Sequence, residues 1–178
     1  MAKTKLQQLL HLIFNLCRAP FTKTSTWPKG KSPYKHILIS SILVGIHRDG
    51  IFKAGIVRLE QCLPIYEEIY QSAYPAHPMT SLELEAKLVQ PFWYLGAGTP
   101  RLWRLVPQTG MTGELKQTIA ARPQIKTASA LNRLVDYAEL ASEDYNFLRD
   151  PIVAEFLLYF LSGKHDLPGL LDLWDSIR

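Results

Sequence analysis

The chain has 178 residues, 47% of them apolar and 20% charged, which suffices for one hydrophobic core without metal or disulfide support and excludes collagenous, disordered and low-complexity classes. Its net charge of +4 is unevenly placed: residues 1–58 carry ten Lys/Arg against a single acid, Asp49, and the remainder ten against fifteen. The N-terminal third therefore suits a polyanion, although a solvated basic face with no partner would look similar.

No apolar run approaches the roughly 20 residues that cross a bilayer. The apolar stretch Leu6 to Cys17 is interrupted by Gln7, Gln8, His11 and Asn15 and lacks a small-residue cleavage site, so no membrane partner and a cytoplasmic location are expected. Cys17 and Cys62 stand alone without CxxC spacing, as reduced thiols packed as small apolar groups do.

In chain order, Leu6, Leu9, Leu10, Ile13 and Phe14 recur at helical spacing and predict a helix from about Lys5 to Leu16. Ala19 to Ser32, rich in Pro, Gly, Thr and Ser and tipped by Lys29 and Lys31, reads as an irregular connection. Ser32-Pro33 then opens a second helix, Ser32 as N-cap and Pro33 at the first helical position, ahead of the apolar run Ile37 to Ile46. Such a run must be buried on most sides. Gly50 is the expected left-handed cap. Ile51 to Val57 reads as a short strand, Arg58 to Ser72 as a helix that Pro64 kinks or delays, and Thr80 to Leu88 as a short acidic helix.

Gln90 to Val106, QPFWYLGAGTPRLWRLV, alternates apolar residues loosely about Gly96-Ala97-Gly98-Thr99-Pro100 and predicts a β-hairpin with a long loop. Buried core is the plain account of its aromatics. Arg101 and Arg104 lie among those rings, and rings with cations suit a phosphate-bearing partner. Further on, a weak helix is expected around Glu114 to Ala121 and an amphipathic stretch over Ala130 to Leu140, capped by Thr127 or Ser129 with Lys126 alongside. Helices are expected again from Ser142, from Asp150-Pro151, and over Leu167 to Ile177; Ile152, Val153, Phe156, Leu157, Tyr159, Phe160 and Leu161 are expected in the core. The fold class so predicted is α+β, a mostly helical single domain with a small antiparallel β-hairpin or sheet.

SPYKHILISSIL, QPFWYLGAGTPRLWRL and YAELASEDYNFLRDPIVAEFLLYFL, in that order, resemble the sulfur-binding domain that precedes the nuclease in phosphorothioation-dependent HNH restriction endonucleases. The likeness spans roughly Leu6 to Leu161. It implies a domain that binds duplex DNA in which sulfur replaces a non-bridging phosphate oxygen, with the sulfur in a shallow apolar pocket. A basic pair at the start of the family's second helix falls on Tyr34 and Lys35, a Tyr-Pro-Phe motif on Gln90, Pro91 and Phe92, and a pocket-lining position on Tyr94. Tyr34 stands for a histidine, Gln90 for a tyrosine, and Tyr94 where a smaller residue can occur.

The physical logic is independent of the likeness. Sulfur is larger, more polarizable and a poorer acceptor than oxygen, so its desolvation costs less. Ring edges of Pro91, Tyr34 and Tyr94 would accept it while leaving an ordinary phosphate oxygen unsatisfied. Lys31, Ser32, Lys35 and the helix N-terminus would meet the remaining charge, and Arg101, Lys126, Thr127 and Ser129 are the candidates for flanking backbone or groove contacts. This scheme requires Pro91 and Lys35 to share one side of the molecule and both to reach solvent.

Catalysis and cofactors are not expected. The five histidines are scattered, no HExxH, GxSxG, P-loop or complete dinucleotide fingerprint occurs, and His47-Arg48-Asp49 lacks the companion motifs of a kinase loop. Two further classes stay open, a general nucleic-acid-binding protein without sulfur selectivity and a protein-interaction module of a defence complex; a partner HNH nuclease domain or subunit belongs to the main reading.

Overall fold

The apolar run behind Pro33 forms helix α1, Tyr34–His47, and every residue from His36 to Ile46 is buried. The structure, a computed structural model, describes residues 7, 8, 11, 33–48, 51–98, 101–165 and 167–177. Of the expected first helix only Gln7, Gln8 and His11 are described, helical and exposed; the 19–32 connection, Lys31, Ser32 and the Gly50 cap lie outside the described residues. Pro33 has helical dihedrals and its carbonyl accepts from the Ile37 amide at 3.0 Å, so its missing N–H costs the helix nothing.

A 3₁₀ turn, Lys53–Gly55, and the two-residue strand β1, Ile56–Val57, replace the longer strand expected there. Helix α2, Leu59–Ala73, continues through Pro64, which therefore does not delay its start, and packs on α1, burying Cys62, Ile65, Tyr66, Ile69 and Tyr70. Close approach is set by Gly45, where a Cβ would sit 2.2 Å from the Phe52 ring and 2.9 Å from Ile65. Burial pushes the Cys62 thiol well above its usual range.

Helix α3, Ser81–Ala97, corrects the hairpin expectation. The helix starts on a capping box: Thr80 Oγ1 accepts from the Glu83 amide at 3.3 Å, and the Glu83 carboxylate accepts from the Thr80 amide at 2.8 Å. Its buried residues Leu84, Leu88, Phe92 and Leu95 keep helical spacing straight past Pro91, and that periodicity outweighs the β preference of the aromatics. The chain then turns back on the helix end, the Leu102 amide donating to the Leu95 carbonyl at 2.7 Å and Trp103 Nε1 to the Phe92 carbonyl at 3.2 Å. Gly96 permits this fold-back, because a Cβ there would lie 2.5 Å from Leu105 and 2.8 Å from Trp103.

Strand β2, Arg104–Pro107, is followed by helices α4, Thr112–Ala121, and α5, Ala128–Leu134, and then by strand β3, Val135–Glu139. The second half of the stretch expected to be amphipathic helix is thus a strand. It is the centre of an antiparallel sheet ordered β1-β3-β2, with Val57 and Leu105 both facing Ala138. Pairing on both edges supplies hydrogen bonds that no local pattern encodes.

Helices α6, Ser142–Leu148, α7, Pro151–His165, and α8, Leu170–Ile177, close the core. His47 Nε2 donates to the Leu148 carbonyl at 2.9 Å, and its ring meets Trp174 edge-on at 4.9 Å, tying α1 to both ends of this group. On α7 the buried face is Ala154, Leu157, Leu158 and Leu161, whereas Ile152, Phe156 and Tyr159 are exposed; their placement in the core is corrected. The result is the predicted α+β class, mostly helical with a small antiparallel sheet. No helix among the described residues is long and apolar enough to cross a membrane.

Candidate nucleic-acid interface

Extending α3 through residue 97 changes the geometry of the candidate pocket. Lys87, Gln90, Pro91 and Tyr94 fall at i, i+3, i+4 and i+7, one stripe of the helix rather than two strands of a hairpin. The first turn of α1 reaches the same stripe, with Lys87 Nζ lying 5.4 Å from the centroid of the Tyr34 ring, a cation–π contact across the helix pair. The stripe runs about 10 Å along the helix, from Lys87, which meets Tyr34, to Tyr94.

The stripe is not uniformly open. Gln90 is half-buried, Tyr94 is 37% exposed, and Pro91 is buried on the flank turned toward the core. Pro91 therefore fails the requirement of solvent access and is corrected from an exposed pocket wall to a packing residue. Lys35 is half-buried. Behind Tyr34 lie Tyr66 and Tyr70, both raised in pKa mainly by burial and further by the neighbouring Tyr34, Tyr70 to about 12. Tyr70 donates to the His77 carbonyl at 3.0 Å. These phenols stay neutral at physiological pH and form an uncharged backing to the first turn of α1.

At the far end of the stripe lies a cleft of 140 Å³, lined by Trp93, Tyr94, Ala97, Gly98 and Arg122. Arg122 was not a sequence candidate. It ends α4 in the left-handed conformation, φ 52° and ψ 42°, with its amide donating to the carbonyls of Thr118 at 3.1 Å and Ile119 at 3.3 Å. A left-handed residue without glycine's freedom is uncommon. The cap fixes the backbone from which this guanidinium departs; Arg-Pro at the end of a weak helix carries no sequence signal for it.

Two contrasting groups stand out among the other cations. Arg58 pairs with Asp136, Arg104 with Glu139 and Arg133 with Glu114 at 2.7 Å, and the carboxylate partners raise the pKa of Arg58 and Arg104. Arg101, Arg122 and Lys126 are exposed and enter no ion pair among the described residues. Thr127 is the N-cap of α5, its hydroxyl accepting from the Ala130 amide at 3.2 Å. Ser129 is exposed in the first turn of that seven-residue helix. Among the described residues no three His, Cys, Asp or Glu side chains group as metal ligands.

The chain matches no protein-family model, no curated protein and no solved structure.

Proposed function

We propose that the chain reads duplex DNA carrying a backbone phosphorothioate, as the recognition module of a modification-dependent restriction system. What supports this reading is the contact of Lys87 with the Tyr34 ring from the first turn of α1, on the same stripe of α3 that carries Tyr94 two turns further on. With Pro91 buried, the pocket walled by that proline does not form, and this reading rests the apolar contact on the exposed Tyr94 ring and the edge of Tyr34 instead. Lys35, Lys87 and Arg122 then face the phosphate charge, while Arg101 and Lys126 extend the cationic margin.

Each such contact orients the duplex without reading bases, and together they make affinity depend on salt. Sulfur selectivity follows from the poor accommodation of a fully hydrated oxyanion against the rings. The test is a competition between matched duplexes with and without a single phosphorothioate, run at two salt concentrations. Preferential capture of the modified duplex, weakened by salt, is expected; equal competition removes sulfur selectivity and leaves a general nucleic-acid-binding protein.

A second reading, a protein-interaction module, is favoured by the exposed apolar stripe of α7. Ile152, Phe156 and Tyr159 are 78%, 51% and 67% exposed, and aligned apolar exposure of this kind marks protein interfaces. The absence of any salt-sensitive DNA binding in the same titration would favour it.

A further inference from the structure

The cleft beside Tyr94 is larger than a sulfur atom requires. Its 140 Å³ is close to the roughly 150 Å³ that accommodates a benzene ring inside a protein, whereas thio-substitution exchanges a single atom. Trp93, only 1% exposed, forms the floor, and the 37%-exposed Tyr94 ring forms a side. Ala97 and Gly98 complete the described lining, and no carboxylate stands among the described lining residues to repel an anion. One cation does, Arg122, exposed, outside any ion pair among the described residues, and set by a capped left-handed backbone.

We infer that this cleft takes a single unpaired nucleotide, its base against Tyr94 and its phosphate on the Arg122 guanidinium. A planar ring joined through a sugar to an anion matches an apolar slot bordered by one cation. Every base offers a π-face, and the slot offers few polar groups to discriminate among them, so base identity matters little. Stacking on one tyrosine recovers about as much as unstacking a paired base costs. The cleft therefore captures a base that is already unpaired, in a bulge or a single strand, and does not extrude one from an intact duplex. This inference rests on the reading of the chain as a DNA-binding protein, and it extends to a free nucleoside monophosphate, which presents the same chemistry.

The experiment has two arms. In the first, duplexes with and without one bulged adenine, each prepared with and without a phosphorothioate, are titrated against the wild type, Tyr94→Ala, Arg122→Gln and the control Arg104→Ala. Preference for the bulged duplex is expected in the wild type and the control, reduced about tenfold in Tyr94→Ala and Arg122→Gln. In the second arm, deoxyadenosine monophosphate is titrated while the tryptophan indole N–H signals are followed by NMR. A shift that disappears in Arg122→Gln supports the site and shows that it also accepts a free nucleotide. Equal binding of bulged and paired duplexes together with unmoved indole signals overturns the inference. So does a bulge preference that survives in both variants. The paired duplexes with and without sulfur report separately on phosphorothioate selectivity, so either idea can fail alone. Thermal melting confirms that the variants, both at exposed positions, remain folded.

Discussion

The arginines paired against the sheet and the arginines left unpaired, one of which lines the Tyr94 cleft, carry the same guanidinium and are used in opposite ways. Arg58 and Arg104 lie against Asp136 and Glu139 and neutralise them; Arg101 and Arg122 have no carboxylate partner among the described residues. A paired cation at a half-exposed site contributes little to stability and offers little to an incoming anion. One left without a counter-ion retains its charge for a ligand. The net charge of the chain is therefore a poor guide to where a polyanion would bind, and the distribution of counter-ions is a better one.

The most damaging way to break this contrast is at the joint between the two regions. Gly96→Ala places a methyl group against Leu105 and Trp103, driving α3 away from the strand that carries Arg104; a loss of about 1–3 kcal/mol is expected in urea unfolding. Next in size is Arg122→Gln, expected to weaken binding to phosphorothioate duplex about tenfold, or about 1.4 kcal/mol, and to reduce its salt dependence by about one unit of slope with no change in melting temperature. Arg122→Gly sharpens the point, because it relieves the left-handed backbone while removing the cation: stability equal to or above the wild type with the same loss of binding.

Thr80→Ala tests the helix that carries the stripe and is expected to cost about 1 kcal/mol. Hydrogen bonds from the Thr80 backbone and hydroxyl hold the Glu83 carboxyl below its usual value of 4.5. A depressed acid stabilises the fold above its unfolded-state pKa and loses that contribution as pH falls through the lower, folded value. The stability gap between wild type and Thr80→Ala should therefore be full at neutral pH and narrow in acid, as equilibrium unfolding across pH 2 to 7 would show. Arg104→Ala is the smallest: a stability change below about 1 kcal/mol and unaltered DNA affinity. A loss of affinity there equal to that of Arg122→Gln would abolish the distinction between the two groups of cations.

The elements readable in the sequence were those whose cause is local. Helix α1 follows from a proline start and an apolar run too continuous to face water on any side, and the Thr127 cap from its position ahead of Ala128. The hairpin reading failed because loose apolar alternation about the Gly-rich turn and the β preference of Phe92, Tyr94, Leu102 and Trp103 suggested extended chain, although Leu84, Leu88, Phe92 and Leu95 already carried helical spacing across Pro91. Strand β3 was hidden because Leu131, Leu134, Val135 and Ala138 happen to fit one helical face, and only partners from far along the chain convert Val135–Glu139 into a strand. The same limit applies to the site. Tyr34 and Tyr94 were legible as residue types, but the exposure of one ring, the burial of Pro91 and the arrival of Arg122 depend on tertiary packing. Ile152, Phe156 and Tyr159 were misassigned because apolar composition does not say which side of α7 the core occupies.

Cys62 offers a chemical clock for this architecture. Its sulfur is wholly enclosed between α1 and α2 and its proton is held tightly, so an alkylating reagent cannot reach a thiolate until those helices part. In a Cys17→Ser background, the rate of carbamidomethylation would count openings of the central helix pair directly. Protection gained on adding DNA would register ligand-induced tightening at a distance from the Tyr94 cleft.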